Sequence, residues 1–162
     1  MKTLLILRHA KSSWSDASLS DHDRPLNERG LAAAPRMGQL IAQQDLIPDL
    51  IISSTATRAR TTTERVVAAC AYTGPIEWYG DFYLAPPATY VEKLGSLPDE
   101  ITRVLVVGHN PGMENLAAQL TGVHESFPTA ALAHVRCELA TWPELTLNGS
   151  HSLVDFWRPK EL

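Results

Sequence analysis

Apolar residues along this chain fall into short unbroken runs separated by segments where they recur every three or four positions. Leu4-Leu5-Ile6-Leu7, Leu50-Ile51-Ile52 and Val104-Leu105-Val106-Val107 have strand length and no polar interruption, the pattern of strands covered on both faces. Ile76 to Tyr79 reads as a further strand, and Ala131 to Leu139 and Leu153 to Trp157 as two more. Between them, Glu28 to Gln44 carries Leu31, Met37, Leu40 and Ile41 among alanines, an amphipathic helix that Pro48 closes off. Thr57 to Ala71 has helical spacing with Val66 and Val67 inward, and Gly74-Pro75 breaks it. Thr89 to Leu97 and Glu114 to Leu120 complete the expected helices, while the Ser- and Asp-rich stretch 14–27 reads as an irregular surface segment. Strands alternating with helices imply βαβ units, hence an α/β fold on a mainly parallel sheet of about six strands. No repeat, linker or low-complexity run divides the 162 residues, so one domain spanning 1–162 is expected.

Composition narrows the class of function. Fourteen Lys and Arg against 18 Asp and Glu give a formal charge of −4, without the basic excess of a general nucleic-acid or acidic-membrane binder. Two cysteines, Cys70 and Cys137, lie far apart in apolar stretches; they suit neither a disulfide framework nor a cysteine zinc site and read as reduced core thiols. The run Leu4–Leu7 is stopped by Arg8, too short for a signal peptide, and no stretch reaches the roughly 18 apolar residues of a membrane span. A soluble, cytoplasmic protein is expected. Of the four tryptophans, Trp142 and Trp157 fall in the tail and fit the core as well as a partner surface.

The chemistry should lie where strands end, because open parallel sheets bind ligands beyond the carboxyl ends of their strands. Three such ends are polar: Arg8-His9 after the first strand, Ser53-Ser54 with Arg58 after the second, and His109 after the fourth. If these ends lie side by side, two histidines and two arginines converge. Arginine forks grip phosphoryl oxygens bidentately and stay charged. A neutral imidazole can attack phosphorus, and neighbouring arginines lower its pKa. Two His and two Arg without an adjacent carboxylate cluster suit metal-free phosphoryl transfer. His22, His124, His134 and His151 read as ordinary surface or core histidines. Arg58, Arg60 and Arg65 share one helix, and Arg58 stands out because it opens that helix, where free N–H groups also attract anions. Lys11, Ser12 and Ser13 fit a solvated loop equally well.

These residues carry a family resemblance. Arg8-His9-Ala10-Lys11-Ser12, Arg24-Pro25-Leu26-Asn27-x-x-Gly30, Ser53-Ser54-x-x-x-Arg58-Ala59-x-x-Thr62 and Val107-Gly108-His109-Asn110-Pro111 resemble, in order, the histidine phosphatase (phosphoglycerate mutase-like) superfamily. Phe127-Pro128-Thr129-Ala130-Ala131 and Asp155-Phe156-x-Arg158-Pro159-Lys160 look like its SixA-type phosphohistidine phosphatases. The resemblance implies a three-layer α/β/α sandwich and a covalent mechanism. His9 matches the nucleophile that is phosphorylated and then hydrolysed; Arg8 and Arg58 match the arginines that hold the phosphoryl group. His109 matches the second histidine of the pocket, and Arg24 a further basic residue facing it; the resemblance implies no metal or organic cofactor.

Two positions depart from the family pattern. Ala10 replaces the usual glycine after the nucleophile, which asks only for ordinary backbone geometry there. The acidic proton donor that larger relatives carry after the third strand has no clear counterpart; Asp81 is the nearest acid, a few residues out of place. An alkoxide leaving group needs such a donor, whereas imidazole leaving from phosphohistidine takes its proton from solvent or His109. The expected activity is therefore hydrolysis of phosphohistidine on a partner protein, such as a phosphorelay domain. The alternatives are a small-molecule or phosphoserine phosphomonoesterase and a non-catalytic phosphate-binding regulatory module. Residues 80–103 have room for one loop and one helix, so no cap insertion and an open pocket are expected, with positive charge concentrated at Arg8, Arg24 and Arg58.

Overall fold

The computed structural model describes every residue from Met1 to Leu162. Six strands, β1 (Lys2–Arg8), β2 (Leu50–Ser54), β3 (Ile76–Tyr79), β4 (Arg103–Gly108), β5 (Leu132–Cys137) and β6 (Ser152–Trp157), form one sheet in the order β3-β2-β4-β1-β5-β6. Four helices accompany them: α1 (Glu28–Gln43), α2 (Thr57–Cys70), α3 (Pro87–Leu94) and α4 (Gly112–Thr121). β3, β2, β4 and β1 run parallel; β5 is antiparallel to β1, and β6 to β5. The sheet is thus mixed but mainly parallel.

The unbroken apolar runs are explained by side chains alternating between two buried faces. Leu4 and Ile6 of β1, with Ile52, Val104 and Val106, point to the side where Tyr90 and Leu94 of α3 and Leu116 of α4 pack. Leu5 and Leu7, with Ile51, Leu105 and Val107, point to the other, against Met37 and Ile41 of α1 and Val66 of α2. Both faces are covered, giving the three-layer α/β/α sandwich. Cys70 and Cys137 are buried and unpaired, and Trp142 is fully buried while its indole N–H donates to the Ile101 carbonyl at 2.7 Å. No helix is long and apolar enough to cross a membrane.

Several local expectations shift. α3 begins at Pro87 and ends at Leu94, earlier at both ends than the periodicity predicts, because proline suits the first helical turn and Gly95 follows the last residue. Ser53 and Ser54 complete β2 rather than following it, and both are fully buried. The stretch 14–27 is not simply surface. Ser12 bridges Leu26, Ser13 N–H donates to the Pro25 carbonyl at 2.8 Å, and Arg24 and Leu26 are buried. Between β3 and β4 the chain forms only a 3-10 turn at Gly80–Phe82 and α3.

α1 and α2 approach closely at Gly38, where an added Cβ would lie 2.5 Å from the Val66 carbonyl oxygen and 2.7 Å from Ala69 Cβ. Backbone and a short side chain cannot move aside as a long one can. Gly38→Val should therefore lower stability by about 1–3 kcal/mol through overpacking, seen as a reduced urea midpoint. An unchanged midpoint would show that the two helices can separate freely.

Candidate active site

The site follows from the connections of the sheet. β1 leads into α1 on one face, whereas β4 leads into α4 on the other. β1 and β4 are neighbours, so their chains part at the carboxyl end and open a crevice there. Arg8 is paired with Gly108 at the last register position, so the next residues, His9 and His109, emerge together. His9 N–H extends the ladder by donating to the Gly108 carbonyl at 3.0 Å. The two imidazole centroids lie 5.1 Å apart, and both residues are almost fully buried.

A cleft of about 400 Å³ opens above them, lined by Arg8, His9, Arg24, Arg58 and His109, with Trp14 and Asp21 among its walls. All five candidate residues are therefore brought together. Of the three arginines on α2, Arg58 turns into the cleft and is 3% exposed. Arg60 instead stacks on Trp78 at 4.2 Å, and Arg65 faces solvent. Asp81 is exposed in the 3-10 turn after β3 and does not line the cleft, so it supplies no acid there.

Hydrogen bonds hold each group in place. The Nδ1 of His9 lies 2.7 Å from the Ala10 carbonyl, which can only accept, so Nδ1 carries the proton. In the neutral ring the lone pair is then on Nε2. Ala10 N–H donates to the Thr62 hydroxyl at 2.9 Å, and that hydroxyl donates to the Arg58 carbonyl at 2.7 Å. Thr62 thus ties the loop that follows His9 to α2. Gly30 lets α1 approach the same loop: a Cβ there would meet the Lys11 carbonyl oxygen at 2.2 Å. Asn27 caps α1 by accepting from Gly30 N–H at 2.9 Å. Arg8 Nη1 and Asn110 Nδ2 both donate to the Phe127 carbonyl, at 2.8 and 3.0 Å, which fastens the segment 127–131 beside the cleft.

His109 Nε2 lies 2.8 Å from the Ser54 hydroxyl, which also accepts from Ala56 N–H. The Ser54 proton has no other acceptor, so it is donated to Nε2 and His109 carries its own proton on Nδ1. That Nδ1 has no partner in the protein. Neither have the Nε atoms of Arg8 and Arg58. Of six buried side-chain polar atoms without a partner, three thus belong to residues lining this one cleft, and under these assignments all three are donors. Unpaired buried donors are costly, and an oxyanion would satisfy them.

Burial is the main cause that lowers the pKa of both histidines from 6.5 to about 3. For His9 the charges of His109, Arg58 and Arg8 add to it, while the bond to Ala10 opposes it. The arginines therefore assist, as the sequence suggests, but desolvation leads.

The stretch 14–27 contributes a residue that sequence reasoning did not single out. Asp21 receives hydrogen bonds from Arg24 Nε and Arg58 Nη2, each at 3.0 Å, and from the Tyr83 hydroxyl. The Tyr83 bond, followed by those from Arg24 and Arg58, holds its carboxyl well below the usual carboxylate range, so it is ionised and no proton donor. It orients both arginines. The signal was a lone Asp three residues before Arg24, indistinguishable in sequence from Asp16 or Asp23. Arg24 also donates to the Ser12 hydroxyl at 2.7 Å and lies 3.4 Å over the ring of Trp14, which is 73% exposed at the rim. His22 is closer to the site than an ordinary surface histidine, with Nε2 3.2 Å from the Thr55 hydroxyl. No three His, Cys, Asp or Glu side chains gather as a metal-ligand set.

Comparison with known proteins gives these features a family. Residues 4–78 match the model of the histidine phosphatase superfamily (branch 1). The structure of SixA from Agrobacterium tumefaciens, described as a candidate phosphohistidine phosphatase, is 33% identical, with a TM-score of 0.83 over 98% of both chains. An uncharacterized protein of Mycobacterium tuberculosis is 34% identical over 165 residues, covering 95% of this chain and 100% of its own. A protein histidine phosphatase SixA complexed with tungstate has the same fold at 23% identity, with a TM-score of 0.83 over 98% of both chains. The fold and cleft define a phosphatase of the phosphoglycerate mutase-like class. The chain belongs to the histidine phosphatase superfamily.

The tautomer and the lowered pKa are directly measurable. Imidazole ¹⁵N resonances of His9 should report a neutral Nδ1–H ring from pH 8 down to pH 5, because its pKa lies near 3 rather than 6.5. Between those values the unfolded chain binds protons that the folded ring does not, so burial of both histidines costs stability as pH falls. A His9 ring that protonates near pH 6.5 would contradict the assignment.

Proposed function

We propose that the protein hydrolyses phosphohistidine carried by a partner protein, through a phosphoryl-enzyme intermediate on His9. The observation that carries this reading is the orientation of His9. Its Nδ1–H is spent on the Ala10 carbonyl, which leaves a buried, neutral Nε2 lone pair in a cleft lined by Arg8, Arg58 and His109.

In the first step His9 Nε2 attacks phosphorus in line, the P–N bond to the substrate imidazole breaks, and that imidazole leaves with its electron pair. Arg8, Arg58 and the Nδ1–H of His109 stabilise the charge on the equatorial oxygens. Arg24 faces the same cleft as a further cation, and Asp21 holds it and Arg58 in position. In the second step water attacks the phosphoryl group on His9, releasing inorganic phosphate and regenerating the lone pair. The departing imidazole takes its proton from solvent, because neutral His109 has a single ring proton and keeps it on Nδ1. Without a dedicated acid the site suits such a leaving group better than an alkoxide.

The chain between β3 and β4 adds no long segment over the cleft. An open cleft admits a phosphohistidine on a protein surface, which supports a macromolecular substrate. The 33% identical Agrobacterium relative bears a phosphohistidine phosphatase name, which supports the same substrate class.

Turnover should be faster on a phosphohistidine-bearing phosphorelay domain than on a sugar phosphate or phosphoserine. Equal kcat/KM for alkyl phosphates would overturn the substrate assignment. Arg58→Ala should lower kcat by about 10²–10³-fold, the cost of losing one preorganised donor to a developing oxyanion. A near-normal kcat would remove Arg58 from the mechanism.

A further inference from the structure

Beside the catalytic cleft lies a second groove, of about 590 Å³, which shares Arg8, Lys11 and Thr129 with it. Its charge is at odds with the chain as a whole. The protein carries a formal −4, yet six cations, Arg8, Lys11, Arg29, Arg36, Arg158 and Lys160, line this groove with a single carboxylate, Glu161.

The acidic groups that do reach it are already engaged. Arg158 pairs with Glu125 at 2.9 Å and with Glu161 at 3.3 Å. Lys11, Arg29 and Lys160 make no ion pair, and Arg36 donates only to the Leu162 carbonyl. All four are exposed. On α1, Arg29, Ala33 and Arg36 follow one another at i, i+4 and i+7, so they form a single stripe whose middle residue is too small to fill the floor. A merely solvated helix face would mix both signs of charge. Here like charges converge, and their mutual repulsion is relieved by an anionic partner.

We propose that this groove docks an acidic surface of the phosphoprotein substrate, rich in Asp and Glu, while its phosphohistidine enters the adjoining cleft. The proposal rests on the reading of a protein substrate given above. Lys11, Arg29, Arg36 and Lys160 stand on long, exposed side chains rather than in a buried, preorganised donor set like that of the cleft. Exposed cations spread along a groove match carboxylates spread over a surface better than one compact second phosphoryl group.

The test is the triple variant Arg29→Glu/Arg36→Glu/Lys160→Glu, none of whose positions lies in the catalytic cleft. Its kcat/KM for a phosphohistidine-bearing acidic phosphorelay domain should fall about tenfold or more, mainly through KM, and lose most of its salt dependence. Its kcat/KM for para-nitrophenyl phosphate should not change, which also shows that the fold is intact. Equal losses on both substrates, or none on either, would overturn the proposal.

A second arm reads docking without turnover: fluorescence anisotropy of a labelled peptide of alternating Glu and Ser. The peptide should bind wild type, not the triple variant, and a Lys-Ser peptide should bind neither. If wild type binds the peptide but turns over no phosphohistidine protein, the docking surface stands and the substrate reading fails. If it turns over that protein but does not bind the peptide, the docking surface fails. Tripolyphosphate that binds wild type and not the variant, with no peptide binding, would mark a small-polyanion site and overturn the proposal.

Discussion

The site depends on one pairing: Arg8 opposite Gly108 at the end of two parallel strands. That register sets His9 beside His109, and the Gly108 carbonyl then holds His9 N–H. A slip of one residue would turn Leu4 and Ile6 into the positions of Leu5 and Leu7 and disrupt both cores at once. Packing on two faces therefore fixes the relative position of two imidazoles that no local sequence feature links. β1 and β4 depart to opposite faces, so the same register also leaves the crevice open above them.

Around the pair, charge and solvation are divided among specific groups. Burial removes water from His9 and His109 and keeps both neutral. Arg8, Arg24 and Arg58 supply positive charge, and Asp21 answers part of it while holding Arg24 and Arg58 in place. Three buried atoms of residues that line the cleft, Arg8 Nε, Arg58 Nε and His109 Nδ1, have no partner within the protein. Together these are what a phosphoryl group entering the cleft requires: a lone pair in front, and donors fixed around its oxygens.

Much of this was legible in the sequence because burial on two faces writes itself as unbroken apolar runs. β1, β2 and β4 were visible for that reason, and so were the polar residues that end them. Gly30 and Thr62 belong to the motifs, but their reasons are tertiary: one admits the Lys11 backbone, the other links Ala10 to Arg58. Asp21 was not legible, because its importance comes from three partners, one of them 62 residues away in Tyr83. Asp81 drew notice by its place after β3, yet the turn there leaves it outside the cleft. Ser53 and Ser54 read in the sequence as the polar residues after the second strand, since hydroxyls satisfied inside the protein cannot be told from solvated ones by composition, and they prove to be its last two residues. The groove on α1 was likewise hidden, because a stripe of two arginines becomes a surface only when the tail bearing Lys160 packs against it.

The central claim is that His9 Nε2 carries the phosphoryl group during turnover. The most direct measurement is a rapid quench at alkaline pH, where phosphohistidine survives, after mixing the enzyme with a ³²P-labelled phosphohistidine protein, followed by peptide mapping. The account predicts transient label on His9 in the wild type and none in His9→Ala, which should also lose turnover. Label confined to another residue, or a His9→Ala variant that turns over at the wild-type rate, would contradict it.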